Sequence, residues 1–127
     1  MTNAAELSRR ERQIMDSLYT RGRATVNEVR EDLPDPPTDK AVRRMLEILE
    51  EKGHVARRKV RREYVYRPTQ AKKRVGRKAL RHLLDTYFEG ALDQAIAVHL
   101  GSKDADISDE TLDRIAQLIS EARRKGD

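Results

Sequence analysis

The sequence predicts a mainly α-helical chain with one small β-hairpin, and three observations support this fold class. Apolar residues recur at helical spacing in six segments, one intervening segment has the period of a strand, and aromatic residues make up only 4% of the 127 residues. A chain of this size and composition forms one or two small cores. A large enzyme core with a deep substrate pocket is therefore not expected.

Two short helices are predicted at the start of the chain, over Leu7 to Thr20 and over Val26 to Asp32. Each begins with a capping box, in which a Ser or Thr caps the helix and a Glu follows three residues later. The two boxes are Ser8 with Glu11 and Thr25 with Glu28. Apolar residues at helical spacing are expected to face the core: Ile14, Met15, Leu18, Val26, Val29 and Leu33.

A third helix is predicted after the proline-rich segment 34–37, because proline prevents the second helix from continuing. Thr38 is its expected N-cap, and Gly53 stands where a left-handed residue commonly ends a helix. Its apolar residues repeat at i, i+3, i+4 and i+7, which predicts one buried face: Val42, Met45, Leu46 and Leu49.

A β-hairpin is predicted over His54 to Pro68, where the apolar period changes to two. Tyr64 and Tyr66 belong to the return strand, and the turn is expected near Val60 to Arg62. No Asn-Gly or Asp-Gly pair marks this turn, so the pairing register stays open by a residue or two.

Positive charge is concentrated around this hairpin. Residues 52 to 82 carry 13 basic side chains and one acidic one, Glu63, whereas the segments on either side are net acidic. A surface of one sign attracts a polyanion, so nucleic acid is the expected partner. A merely solubilising basic stretch is the alternative.

Three helices followed by a basic hairpin describe a winged helix-turn-helix, in which the third helix enters the major groove of double-stranded DNA. With the apolar residues facing inward, Lys40, Arg43 and Arg44 face outward. Arginine is the commonest reader of guanine, so Arg43 and Arg44 are the strongest candidates for base contacts. Glu47 is expected to pair with Arg43, the alternative being a contact to cytosine.

Other candidate DNA contacts are directed at phosphates. Thr25 and Thr38 lie at helix N-termini, where a hydroxyl and unpaired N–H groups can hold a phosphate oxygen. The hairpin, or wing, is expected to lie on the neighbouring backbone and offers Arg57, Arg58, Lys59, Arg61 and Arg62. The open register leaves undecided which of Arg57 and Arg58 faces DNA.

Three further amphipathic helices are predicted after Pro68, with Thr69 as a candidate cap of the first and Ser108 as the cap of the last. Three helices alone leave much of their apolar stripes exposed, so a second copy of the chain is expected to cover them. The candidate dimerisation residues are Leu80, Leu83, Leu84, Tyr87, Phe88, Leu92, Ile96, Leu112, Ile115 and Ile119.

The sequence offers no candidates for catalysis, metal binding or cofactor binding. It has no Cys, and His54, His82 and His99 lack the spacing of a ligand set. No apolar run approaches the ~20 residues that would insert into a membrane, and no signal segment is evident. A cytoplasmic, nucleoid-associated protein is therefore expected.

The order and spacing of three motifs resemble the penicillinase repressor family (BlaI/MecI/CopY) of winged-helix transcriptional regulators. The first helix carries L-S-x-x-E-x-x-I-M-x-x-L-Y from Leu7, and the third carries A-V-x-x-M-L-x-x-L-x-x-K-G from Ala41. The wing carries R-x-Y-x-Y-x-P from Arg62. The likeness extends over nearly the whole chain, because the family also has a helical C-terminal dimerisation region.

The resemblance implies a homodimeric repressor on a dyad-symmetric operator, relieved by cleavage within the C-terminal region or by copper exchange at Cys pairs. The absence of Cys excludes the copper switch. A membrane sensor-protease is then the implied partner, although the Asn-Phe pair that such systems cleave would fall near His99 and Leu100 and is absent there. Ala41 and Ile48 replace the usual Thr and Arg, so a different operator is expected.

Together, these patterns predict a winged helix-turn-helix DNA-binding domain over residues 1–68 and a helical dimerisation domain over residues 69–127. The chain is expected to repress transcription from a pseudo-palindromic operator until a signal removes or cleaves the dimerisation region. Two alternatives remain open at this stage: a winged-helix regulator that senses a small molecule, and a protein-interaction module with the same fold.

Overall fold

The computed structural model of the chain describes residues 7–103 and 106–126. The helices within these residues are α1 (Arg9–Arg21), α2 (Val26–Asp32), α3 (Asp39–Glu51), α4 (Lys72–Phe88), α5 (Leu92–Leu100) and α6 (Asp109–Gly126). The strands are β1 (Ala24–Thr25), β2 (Val55–Val60) and β3 (Glu63–Pro68). This architecture confirms the predicted mainly α-helical fold with a hairpin wing. The chain forms two compact units, the first ending at Arg77 and the second beginning at Lys78.

The first three helices begin at the predicted caps. The hydroxyls of Ser8 and Thr25 accept the N–H of the Glu three residues later, at 3.1 and 3.2 Å. Each Glu side chain accepts the N–H of its cap in return, so both capping boxes are complete. Thr38 caps α3 by accepting the N–H of Ala41 at 3.1 Å. Such caps join residues three positions apart, which is why sequence spacing alone predicts them.

The three strands form one antiparallel sheet in the order β1-β3-β2. The hairpin closes through a turn of residues 61–62, since Val60 pairs with Glu63. Arg61 has φ of 59°, in the left-handed region that Gly or Asn usually occupies. The predicted turn position is therefore confirmed, but the turn forms without its usual residues. Sequence analysis missed β1, which has only two residues and pairs with distant β3.

The N-terminal unit has one closed core, built from α1, α2, α3 and the sheet. Val26 and Met45, which were predicted to be buried with the rest, are only partly buried and pack against its edge. Each apolar side chain that the core buries fully contributes about 1.5–3 kcal/mol to the stability of the fold. The buried apolar residues are Ile14, Met15, Leu18, Ala24, Val29, Leu33, Val42, Leu46, Leu49, Val55 and Tyr66.

Several ion pairs join the helices at the edge of this core, and the two with the shortest distances involve Glu11 and Asp32. Nζ of Lys52, at the end of α3, lies 3.1 Å from Oε2 of Glu11 in α1. Nε of Arg21 in α1 lies 2.7 Å from Oδ2 of Asp32 in α2, and the Ser17 hydroxyl donates to the same carboxylate at 2.6 Å. The hydrogen bonds from Arg21 and Ser17 lower the pKa of Asp32 to about 2.

Thr69 does not cap the helix that follows the wing. Its N–H donates to the carbonyl of His54 at 3.1 Å, and its hydroxyl donates to the carbonyl of Gly53 at 2.7 Å. Thr69 therefore extends the pairing of the hairpin, and α4 starts only at Lys72.

The helices of the C-terminal region contain no buried residue among those the structure describes. The predicted cap of the last helix is confirmed, because Ser108 accepts the N–H of Thr111 at 3.2 Å. The apolar stripes of α4, α5 and α6 thus form as helices without an internal core.

Candidate nucleic-acid interface

The exposed side of α3 divides into a basic and an acidic half. Its apolar residues Val42 and Leu46 are buried in the core. Lys40, Arg43 and Arg44 are exposed in the N-terminal half of the helix. The C-terminal half carries three acidic side chains, Glu47, Glu50 and Glu51. The N-terminal half is the part whose charge suits DNA.

The strand register places the two candidate wing arginines on opposite faces of the hairpin. Arg57 lies opposite Tyr66, and Arg58 lies opposite Val65. Residues directly opposite one another in an antiparallel pair share a face. Arg57 therefore lies on the face of buried Tyr66, towards α3, and Arg58 lies on the other face; both side chains are exposed.

Arg57 links the wing to α3. Its Nε lies 3.4 Å from Oε2 of Glu50, and its guanidinium lies 4.3 Å from the ring centre of Tyr64. A hydrogen bond with Tyr66 and the charge of Glu50 raise the pKa of Arg57. Sequence analysis did not predict the contacts of Arg57 with Glu50 and Tyr64, because both contacts cross between elements.

A groove of about 440 Å³ lies between α3, the wing and the start of α2. Four of the predicted DNA-binding residues line it: Thr25, Arg43, Arg57 and Arg62. It also holds residues that sequence analysis did not select, among them Asn27, Asp39 and Glu63. The fold thus brings together candidate contacts from three separate elements.

The predicted basic residues differ in whether they already form an ion pair or a side-chain hydrogen bond within the protein. Within the described residues, no ion pair or side-chain hydrogen bond involves Lys40, Arg43, Arg58, Arg61 or Arg62. Such side chains can exchange water for phosphate without first breaking a protein contact.

Glu47 pairs with Arg44 and not with Arg43, so the predicted partner is wrong. Nη1 of Arg44 donates to Oε2 of Glu47 at 3.2 Å. Glu47 and Arg43 both line the groove, but the guanidinium that lies within hydrogen-bond distance of the Glu47 carboxylate is that of Arg44. Arg44 extends along the outer surface of the helix, towards Glu47 and Glu51.

Thr25 and Thr38 keep a hydrogen-bond donor after capping their helices. Each hydroxyl oxygen accepts a backbone N–H, which leaves the hydroxyl hydrogen for another acceptor. Thr38 is exposed and Thr25 is half-buried at the groove.

Two arginines outside the predicted set fix the loop that leads into α3. Arg10 donates to the carbonyls of Pro34 and Asp35 at 2.6 and 2.8 Å. Arg30 donates to the carbonyl of Pro37 at 2.5 Å. These bonds satisfy loop carbonyls that no helix can use, and they hold the start of α3 in place.

The candidate dimerisation residues include large apolar side chains that are strongly exposed, as Tyr87 is at 75% and Leu80 and Leu92 are at 54%. Leu84, Phe88 and Ile115 are half-buried. The others are also exposed: Leu83, Ile96, Leu112 and Ile119. In the described part of the chain, no helix is long and apolar enough to cross a membrane. Residues 7–103 and 106–126 also contain no cluster of acidic or His side chains that could hold a metal ion.

Comparisons with known proteins agree with this architecture. The family model of the penicillinase repressor matches residues 7–121. The chain is also similar to the solved structure of BpsR from Bordetella bronchiseptica, whose DNA binding is regulated by 6-hydroxynicotinic acid. The TM-score is 0.50 and the identity is 16%, with 93% of this chain and 76% of that chain covered. At this identity the likeness extends to the fold alone. No curated protein matches the sequence.

Proposed function

Because the chain belongs to the penicillinase repressor family of DNA-binding transcriptional repressors, which are not enzymes, we propose that it represses transcription as a homodimer on a pseudo-palindromic operator. Each protomer occupies one half-site, and the two-fold axis of the dimer coincides with that of the operator. The half-sites are then about one helical turn of DNA apart, or a simple multiple of it.

The observation that carries this proposal is the groove between α3 and the wing. It brings Arg43 of the third helix, Arg57 and Arg62 of the wing and Thr25 at the start of α2 to one surface. In the proposed complex, the N-terminal half of α3 enters the major groove and the wing lies on the adjacent backbone. The remaining contacts come from Thr38, Lys40, Arg44, Arg58 and Arg61.

The exposed apolar stripes of α4, α5 and α6 support the proposed homodimer. Stripes that bury no residue within their own chain favour association with a second copy. Linking two DNA-binding units raises their joint affinity, by about 10²–10⁴-fold where the spacing fits. A signal that cleaves or removes residues 69–127 would therefore release the operator. We propose a membrane sensor-protease as its source and the nucleoid in the cytoplasm as the site of action.

The release step can be tested by placing the recognition sequence of a site-specific protease between Ser102 and Lys103, in the segment after α5. Operator affinity before and after cutting is compared with that of the wild-type protein treated in the same way. The expected result is a loss of at least tenfold on cutting. Unchanged affinity of the cut protein would contradict release by cleavage in this segment.

Operator recognition is tested by selecting duplexes from a random library with the purified protein. Fluorescence anisotropy at two salt concentrations then compares a selected duplex with its scrambled version. We expect at least about 10³-fold tighter binding to the selected duplex. Equal binding to both duplexes, falling steeply with salt, would instead indicate a basic surface without sequence recognition.

The wing tip gives a matched pair of variants for the same assay. Arg61→Ala is expected to weaken binding to both duplexes equally and to reduce the slope of log affinity against log salt by about 0.9, because one phosphate contact is lost. Arg124→Ala removes the same charge from exposed α6 and is expected to leave the slope unchanged. A slope unaffected by Arg61→Ala would contradict the phosphate role of the wing.

A further inference from the structure

Arg44 has one side of its guanidinium occupied and the other side open. Nη1 lies 3.2 Å from Oε2 of Glu47 and 3.8 Å from Oε1 of Glu51. Among the described residues, no hydrogen bond is made by Nε or Nη2 of Arg44. Two parallel N–H donors therefore remain available along one edge of the guanidinium.

This edge belongs to the part of α3 that faces away from the core. At 3.6 residues per turn, positions 44, 47 and 51 fall on the side opposite to Val42 and Leu49. The residues in this outer row are also solvent-exposed, the side chain of Arg44 at 61% and that of Glu47 at 43%. In a helix that lies in the major groove, this side meets the base edges.

We propose that Arg44 and Glu47 form a specificity-determining pair, in which Glu47 positions Arg44 to read a guanine with its Nε and Nη2 donors. The pair deepens the proposed repressor function and depends on it. Guanine presents O6 and N7 as two adjacent acceptors, which match two parallel N–H donors. A carboxylate that already orients the guanidinium lowers the entropy that Arg44 loses on binding the base.

The surroundings of Arg43 favour a different contact. Arg43 has no ion pair within the described residues, and it lines the groove together with Arg57 and Arg62, although the carboxylates of Asp39, Glu47 and Glu63 line the same groove. A phosphate accepts hydrogen bonds from many directions and is attracted by several cations at once, so an unrestrained side chain suits it. Base reading needs one fixed direction, and of the two arginines only Arg44 is restrained.

The acidic side chains of the outer row agree with a position at the base edges. Glu47 and Glu51 would be repelled by phosphates, and Arg44 neutralises part of their charge. Base edges carry no net charge, so a row whose charge is reduced in this way meets less repulsion there than beside the phosphates.

The test is a selection from a random duplex library with wild type, Arg44→Ala, Glu47→Ala and Glu51→Ala, followed by binding measurements on the enriched sequences. Glu51→Ala is the matched control, since it removes the same charge from the same helix but no hydrogen bond to Arg44. Wild type is expected to require a guanine at one position of each half-site. Arg44→Ala is expected to abolish this requirement, and Glu47→Ala to reduce it about two- to fivefold at that position alone.

Binding to random duplex is expected to change equally in Glu47→Ala and Glu51→Ala, because both remove one repulsive charge. A guanine preference that survives Arg44→Ala, or equal base preferences in the two glutamate variants, would overturn the inference. Failure of the wild-type protein to enrich any sequence would instead overturn the proposed function. All three side chains are exposed, and thermal melting of the variants identifies any loss of folding.

Discussion

The two units of this chain contain helices with similar amphipathic patterns, but only the helices of the N-terminal unit bury their apolar residues. The N-terminal unit closes a core in which Ile14, Leu18 and Leu46 are fully buried. In the described part of the C-terminal unit, α5 and α6 have apolar stripes of the same kind, yet no residue is buried. An amphipathic pattern thus specifies a helix but not where its apolar face finds a partner. One unit finds that partner within the chain, and for the other a second copy is the proposed partner.

Removing a large apolar side chain from each unit gives the largest expected contrast. Leu46→Ala leaves a cavity in a closed core and is expected to lower the free energy of unfolding by about 2–5 kcal/mol. Leu83→Ala, at a position that is 44% exposed, is expected to cost less than about 1 kcal/mol when the protein is dilute. Urea denaturation followed by circular dichroism measures both. Equal losses would mean that the C-terminal unit has a core of its own.

The dependence of assembly on the C-terminal stripe gives the next largest effect. Leu84→Ala and Ile115→Ala are each expected to weaken dimerisation by about 10–100-fold, since each removes apolar area from the proposed interface. Sedimentation over a range of concentrations measures this change. Val60→Ala is the control, because Val60 is an apolar residue of the wing that is 43% exposed. An unchanged dimer in both C-terminal variants would refute this position of the interface.

Acid should act on the N-terminal unit through Asp32, with a smaller effect. The pKa of this carboxyl is lowered to about 2 from an ordinary 3.8, so its ion pair with Arg21 stabilises the fold above pH 4. That contribution is lost as the pH falls towards 2. Both side chains are about one-third exposed, so Asp32→Asn is expected to cost only about 1 kcal/mol at neutral pH.

Thermal melting of wild type and Asp32→Asn at pH 6, 4 and 2.5 tests this dependence. The difference in Tm is expected to be largest at pH 6 and to shrink towards pH 2.5. Asp113→Asn in α6 is the control and is expected to leave the pH profile of the N-terminal unit unchanged. A constant difference between wild type and Asp32→Asn at all three pH values would exclude the proposed role of this ion pair.

The parts of the fold that sequence analysis predicted correctly depend on local signals. The capping boxes at Ser8 and Thr25 and the cap at Thr38 involve residues three positions apart, so their spacing is visible in the sequence. β1 was missed because its two residues gain their structure from pairing with β3. Thr69 was misassigned because its partners lie in residues 53–54, far away along the chain.

In the candidate site, too, sequence analysis predicted the features that depend on local signals and missed those that depend on tertiary contacts. The basic residues of α3 and the wing are evident from composition and helical spacing. The contacts of Arg57 with Glu50 and Tyr64 depend on the hairpin register, which the unusual turn left open. The partner of Glu47 depends on whether Arg43 or Arg44 extends along the helix, and spacing allows either. These choices are made by tertiary packing.

The turn of the wing contains an arginine at a position where its backbone conformation is strained. Arg61 adopts a left-handed backbone that a Gly or Asn would adopt with less strain. A Gly or Asn at this position would relieve the backbone strain and make the hairpin more stable, and it would also remove a cation from the hairpin tip. In the proposed complex with DNA, turn propensity and DNA affinity therefore favour different residues at this single position.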